Sequence, residues 1–230
     1  MYFDPLYLIL ILPPFLLSLW ASFRTRSAFD KYSRVRTARG LTGAQAASAI
    51  LSAAGIHDVE IVPTEGMLSD HYNPVTKRLA LSQGVYASPS VAAVGVACHE
   101  AGHAVQHARH FAPLWLRSLL VPTAGIGSKF GYLGMLFGLI LHLKGLFLLG
   151  VVLFAAVVIF SLVTLPVEFD ASRRAKKLAF EQGLVLDSER EGMAKVLDAA
   201  ALTYVAAAIS SLMTLVYFLL RSGLLGGRRS

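Results

Sequence analysis

His99 and His103 stand four residues apart with Glu100 between them, and residue types in that spacing can do chemistry. On an α-helix, side chains four apart lie on one face about a turn from each other, so both imidazoles can reach one divalent ion. Zinc suits two imidazole nitrogens, and a catalytic zinc takes a third protein group while keeping a position open. Glu100 sits beside that face, where its carboxylate can take a proton from water without holding the ion. The chemistry such a set supports is metal-assisted hydrolysis of an amide bond. Ala101 and Gly102 add no bulk there, although hydrolysis demands neither.

The third ligand has several candidates. His107 lies four residues beyond His103, and at 1.5 Å per residue it is about 12 Å along the helix from His99, too far to share the ion comfortably. His107 and His110 are therefore expected on the polar face or behind the ligands. Glu168 is the better candidate, since two His and one Glu form a known catalytic zinc set. Asp170 is an alternative ligand, or a carboxylate that steadies a zinc histidine. Asp70, His71 and Tyr72 form a further cluster, where an edge strand could align a substrate and His71 or Tyr72 could stabilise an oxyanion. A surface turn is the commoner explanation for such a cluster.

The elements that carry these residues belong to an unusually apolar chain. Of 230 residues, 55% are hydrophobic and 15% charged, which is too oily for an ordinary soluble domain. Four stretches are long enough to cross a bilayer: 5–23, 119–143, 145–167 and 199–220. The second is the least regular, with many glycines and Lys129 inside it. Asp4 stands where a signal peptide would be basic, and no small-residue cleavage site follows Trp20, so 5–23 is expected to stay as an anchor.

Most of the 21 basic residues fall in 24–117 and 168–198, and Lys144 is almost alone between the second and third stretches. Four crossings would put the two basic segments on one side, the cytoplasmic one. Arg221, Arg228 and Arg229 of the tail run against that pattern. The net charge of +7 is explained by this clustering and by anionic lipid headgroups, and nucleic acid is not expected as a partner. Cys98 is the single cysteine, so an intramolecular disulfide is excluded; it suits a reducing compartment and a packing role.

Segment 24–117 is the only one large enough for a folded unit outside the membrane. After its basic start, Thr42 opens a helix through Ala46, Ile50 and Leu51 that stops at Gly55. Val59-Glu60-Ile61-Val62 reads as a strand ending at Pro63. Segments 67–72 and 78–82 flank Asn73-Pro74-Val75-Thr76-Lys77 and suggest a hairpin. Ser88-Pro89 predicts a cap and a first helical position for the helix that carries His99 and His103, running to about Arg109. Residues 168–182 are helix-forming with a stop at Gly183, and Ser188 with Glu191 predicts a capping box for a helix that enters 199–220. The expected fold is mainly α: an integral membrane protein of about four transmembrane helices, with a small α+β unit over the cytoplasmic segment 24–117 and a separate cytoplasmic helical segment over 168–198 that carries the third-ligand candidate.

Three ordered motifs resemble the YugP-type family of membrane zinc metallopeptidases. They are Asp70-His71-Tyr72-Asn73-Pro74 with Leu79-Ala80-Leu81-Ser82, then His99-Glu100-Ala101-Gly102-His103-Ala104-Val105-Gln106, then Leu165-Pro166-Val167-Glu168-Phe169-Asp170-Ala171-Ser172. The resemblance implies a zincin-like unit with one zinc ion on His99, His103 and Glu168, and Glu100 as base. A more distant likeness is to the HtpX-type membrane peptidases, which carry an Asp four residues past the Glu ligand. Here that position is Ser172, and the nearest acid is Asp170.

The resemblance does not imply a substrate; the hydrolytic chemistry points to protein or peptide substrates, membrane proteins among them, and the apolar stretches and basic clusters to the bilayer of the cell membrane, with the site on its cytoplasmic side. Proteolysis inside the bilayer fits less well, because Gln83, Ser88-Pro89-Ser90 and Arg109 flank the histidine helix. A zinc-binding scaffold or adaptor is the alternative of a different class, and Glu100 argues against it, since a structural site needs no base. A transporter is disfavoured by spans almost free of ionisable residues.

Overall fold

In the computed structural model, which describes residues 4–67 and 69–225, the histidine helix is the most deeply covered element. Along Val91–Ala108 (α4) the residues from Val91 to Val94, and Ala97, Cys98, Ala101 and Ala104, are all essentially inaccessible. An alanine- and glycine-rich helix can be surrounded this closely because it presents little side-chain bulk. The described residues order as α1 (Pro5–Ser33), α2 (Gly43–Ala53), β1 (Glu60–Thr64), β2 (His71–Asn73), β3 (Arg78–Ser82), α3 (Gln83–Tyr86) and α4. Then follow α5 (Ala112–Ile126), a π turn at Gly127–Gly131, α6 (Tyr132–Ile140), α7 (Lys144–Glu181) and α8 (Asp187–Arg221). Mainly helical structure with a small sheet agrees with the expected class.

The chain divides into two compact units: one from Met1–Ala21, Trp115–Pro166 and Thr203–Ser230, the other from Ser22–Leu114 and Val167–Leu202. α1, α7 and α8, each of which runs through parts of both units, are long and apolar enough to cross a membrane, and 5–21, 144–166 and 203–221 of them belong to the first. Large apolar side chains such as Ile9, Phe15, Leu149, Val152 and Ile159 face outward there, as they would toward lipid. The stretch 119–143 has a different build. It lies on α5 and α6, joined through the π turn that carries Lys129, and it closes on α7 so tightly that a Cβ at Gly138 would stand 2.4 Å from Phe147 N.

The second unit holds the sheet, in the order β1-β3-β2. β1 runs parallel to β3, and β2 runs antiparallel to it with Tyr72 opposite Leu79 and Asn73 opposite Arg78. The hairpin expected around Asn73-Pro74 is therefore present, and Asn73 Oδ1 accepts from the Val75 and Thr76 amides to close its turn. Pro63 lies inside β1 rather than ending it, which an edge strand tolerates. β3 is central, and Leu79 to Ser82 are all buried. Thr42 caps α2 in a reciprocal box with Gln45, as its sequence predicts.

Several helix limits differ from expectation. Basic residues 24–33 continue α1 to Ser33 instead of forming a separate segment, because nothing after Phe23 breaks a helix. The following turn is stitched to the start of α4: Thr37 N donates to Pro89 O at 2.9 Å, and Val91 N to Val35 O at 2.8 Å. That use of Pro89 moves the cap of α4 to Ser90, whose hydroxyl accepts from Ala93 N. At the start of α8, Glu189 reaches back to Leu186 N, with its other oxygen on Ala38 N; Ser188 and Glu191 do not form the box. The third apolar stretch and the segment after it are one helix, α7, which passes through Pro166 and ends before Gly183 at φ +59°. Arg228 and Arg229, and Leu68 within the expected 67–72 segment, lie outside the described residues.

Two glycines set how closely other helices approach α4. A Cβ at Gly95 would stand 3.2 Å from the Met193 side chain on α8, and one at Gly102 only 2.8 Å from the Ala171 carbonyl oxygen on α7. The second contact involves backbone, which cannot swing aside. We expect Gly102→Ala to lose about 1–3 kcal/mol of stability through overpacking, measured as a lower unfolding temperature in detergent; an unchanged temperature would show that α7 yields freely.

Candidate metal centre

The close approach at Gly102 brings the second turn of chemistry-bearing residues on α7 against the histidine face of α4. His99 and His103 rings meet edge to face with centroids 4.8 Å apart. Both present Nε2 to the same oxygen of Glu168: 3.2 Å from His99 and 3.5 Å from His103. All three donor atoms lie within 4.8 Å of one another. Two donors each about 2.0–2.1 Å from a tetrahedral zinc stand roughly 3.3–3.4 Å apart, which the two imidazole–carboxylate spacings match. The donor types fit as well: two neutral nitrogens and one carboxylate match zinc better than magnesium or calcium, which prefer oxygen alone.

The cluster is nearly dry. Side-chain exposure is 13% for His99, 8% for His103 and 1% for Glu168. For His103, burial opposes the charged ring, yet the carboxylates of Glu168 and Glu100 outweigh it and raise its affinity for a proton above the ordinary imidazole value. The same negative field that attracts a proton attracts a metal cation. Glu100 is itself buried, close enough for its charge to act on His103 and outside the three converging donors.

Behind the donors, each histidine meets a different partner. His99 Nδ1 lies 3.2 Å from Ser172 Oγ, at the position four residues past Glu168. His103 Nδ1 lies 3.0 Å from Gln106 Oε1. Gln106 Nε2 donates to Val167 O at 2.8 Å and to Asp170 Oδ2 at 2.9 Å. Asp170 is thus set on Gln106 and Arg174, not among the converging donors, and it touches the histidines only through Gln106.

The remaining candidates lie elsewhere in this unit. His107 Nδ1 bonds the Tyr72 hydroxyl at 2.8 Å, and burial, with the Asp58 charge second, pushes the Tyr72 phenol up to about 12. The pair ties edge strand β2 to α4. His71 is exposed, and its Nδ1–H donates to Ser69 O. Asp70 accepts from both the Ser82 amide and its hydroxyl, which fastens the loop before β2 to the end of β3 and explains why Asp70 and Ser82 belong to one motif. Gln106 stands in the histidine motif of the sequence, but nothing there assigns it a role; an amide three residues past a candidate ligand, on the same helix face, is the signal that could have found it.

The whole chain can now be set beside known proteins. Residues 7–223 match the family model described as "Putative neutral zinc metallopeptidase". The "Putative membrane protease YugP" of Bacillus subtilis (strain 168) is 44% identical over 215 residues, which cover 94% of this chain and 96% of that protein. No solved structure matches. With a family model spanning nearly the full length and a relative of that identity, the chain belongs to the family which that model describes.

Proposed function

We propose that this protein is a zinc-dependent membrane endopeptidase that cuts peptide bonds at the cytoplasmic surface of the cell membrane. The observation that carries the proposal is the convergence of His99, His103 and Glu168 on one point beside the buried carboxylate of Glu100. His99, His103 and Glu168 are the residues that would hold the ion. Bound there, zinc supplies a Lewis acid toward water and toward a peptide carbonyl.

Glu100 takes the proton of the attacking water and returns it to the leaving amine nitrogen, so the base is restored each turnover. The near absence of solvent around the three donors strengthens every electrostatic interaction in the site. β2 is an edge of the sheet and is tethered to α4 by Tyr72 and His107, which supports a substrate strand adding along it. The zincin-like character of the second unit rests on this combination of a histidine helix, an edge strand and a glutamate on a later helix.

The membrane arrangement follows from charge and helix content. With the α5–α6 segment counted beside the three long helices, four crossings place the basic segments 24–117 and 168–198 together on the cytoplasmic side. Glu168 follows the apolar stretch 145–167 without a break in α7, which supports counting membrane proteins, cut just outside the bilayer, among the proposed substrates.

Two measurements test the proposal. Glu100→Gln should keep zinc and lose cleavage of casein or a membrane-protein substrate by at least about 100-fold, the lower range for a general base, while Glu168→Ala should lose most of its zinc; normal cleavage by Glu100→Gln would contradict this mechanism, and a zinc-loaded wild type that cleaves nothing would point to a scaffold instead. Zinc binding should also depend on pH. Because the proton affinity of His103 is raised, protons compete with zinc on the alkaline side of the ordinary value of 6.5, and apparent zinc affinity should already be falling before an acidifying titration reaches it. A zinc affinity that stays constant down to that pH would contradict the assignment of His103.

A further inference from the structure

We propose that Gln106 fixes His103 as a metal donor through Nε2, and that Asp170 and the Val167 carbonyl in turn fix Gln106. This rests on the zinc reading above and adds to it the device that holds one ligand in register. A glutamine amide has two N–H donors and a carbonyl that only accepts. Gln106 has no exposed surface, so its polar atoms must be satisfied by the protein.

They are satisfied in one orientation only. Val167 O and the carboxylate of Asp170, which Arg174 engages at 2.5 Å, are both acceptors, and both face Nε2. A flipped amide would set an acceptor against two acceptors in a buried place, which is costly. Oε1 is therefore held toward His103 Nδ1. Since a carbonyl oxygen cannot donate, Nδ1 must carry the hydrogen. In the neutral ring the lone pair then falls on Nε2, the atom that faces Glu168.

His99 is held differently. Ser172 Oγ can donate or accept, so its contact with His99 Nδ1 orients the ring without choosing the tautomer. Gln106 chooses it for His103. The same amide binds α7 by backbone at Val167 and by side chain at Asp170, the residues flanking Glu168 by one and two positions. One side chain thus sets both the tautomer of a ligand on α4 and the place of the ligand on α7. Gln106 is a positioning residue: it touches neither substrate nor ion.

The test uses full-length, zinc-loaded protein in detergent, with zinc affinity read by competition against a chelator and thermal unfolding read with and without zinc. Gln106→Met should bind zinc about 10–100-fold more weakly, the usual effect of losing such a partner. The rise in unfolding temperature that zinc confers should shrink with it; a glutamine that only filled space would lower both temperatures and leave that rise unchanged.

Wild-type zinc affinity in Gln106→Met, or an unchanged zinc-induced rise in its unfolding temperature, overturns the proposal while leaving the zinc reading intact. If Gln106→Met does not fold, Asp170→Ala, at a partly exposed position, replaces it: several-fold weaker zinc is expected, and unchanged affinity overturns the proposal. An unsubstituted protein that binds no zinc overturns the zinc reading, and the proposal with it.

Discussion

Everything at the candidate metal centre depends on how near α7 can come to α4. The donors of α4 are one turn apart on a single helix and need no tertiary help to face the same way. The third donor does need help. Glu168 reaches them because α4 has no side chain at Gly102, where the Ala171 carbonyl of α7 occupies the space of a Cβ. Ala171 lies three positions past Glu168, so the contact and the ligand lie within about one turn of the same helix. A shift of α7 by a methyl group's width would open the donor spacing beyond what one ion spans.

The second constraint is electrostatic. A carboxylate as buried as Glu168 is costly unless charge meets it. Two imidazoles facing one of its oxygens supply that charge when protonated, and a divalent ion would supply it more strongly. The polar side chains behind the imidazoles are arranged with the same economy. Gln106, Asp170 and Arg174 form a run of hydrogen bonds from a buried ring nitrogen toward the surface, and Arg174 ends it with its guanidinium over the Phe111 ring.

What could be seen in the sequence follows from how local the signal is. The spacing of His99 and His103, the Thr42 cap with Gln45 and the turn at Asn73 are local, and the structure places each where short-range rules put it. Gly102 is different: amide hydrolysis gives no reason for a glycine there, and the reason lies in a helix that begins more than forty residues later. Gln106 was hidden for a related cause, because its three partners come from two helices. Helix limits failed where tertiary contacts override local preference. Pro89 gave its carbonyl to Thr37, leaving the cap to Ser90, and Glu189 rather than Glu191 reached back over the start of α8 because it also closes on Ala38.

The central claim is that one zinc ion is held by two imidazoles and a carboxylate. X-ray absorption at the zinc edge on the purified full-length protein addresses it without depending on substrate. The account predicts one zinc per chain, with a first coordination shell of two imidazole nitrogens and oxygen at about 2.0–2.2 Å and no sulfur. A shell containing sulfur, which only Cys98 or a methionine could supply within the chain, or a protein that retains no zinc at all, would contradict it.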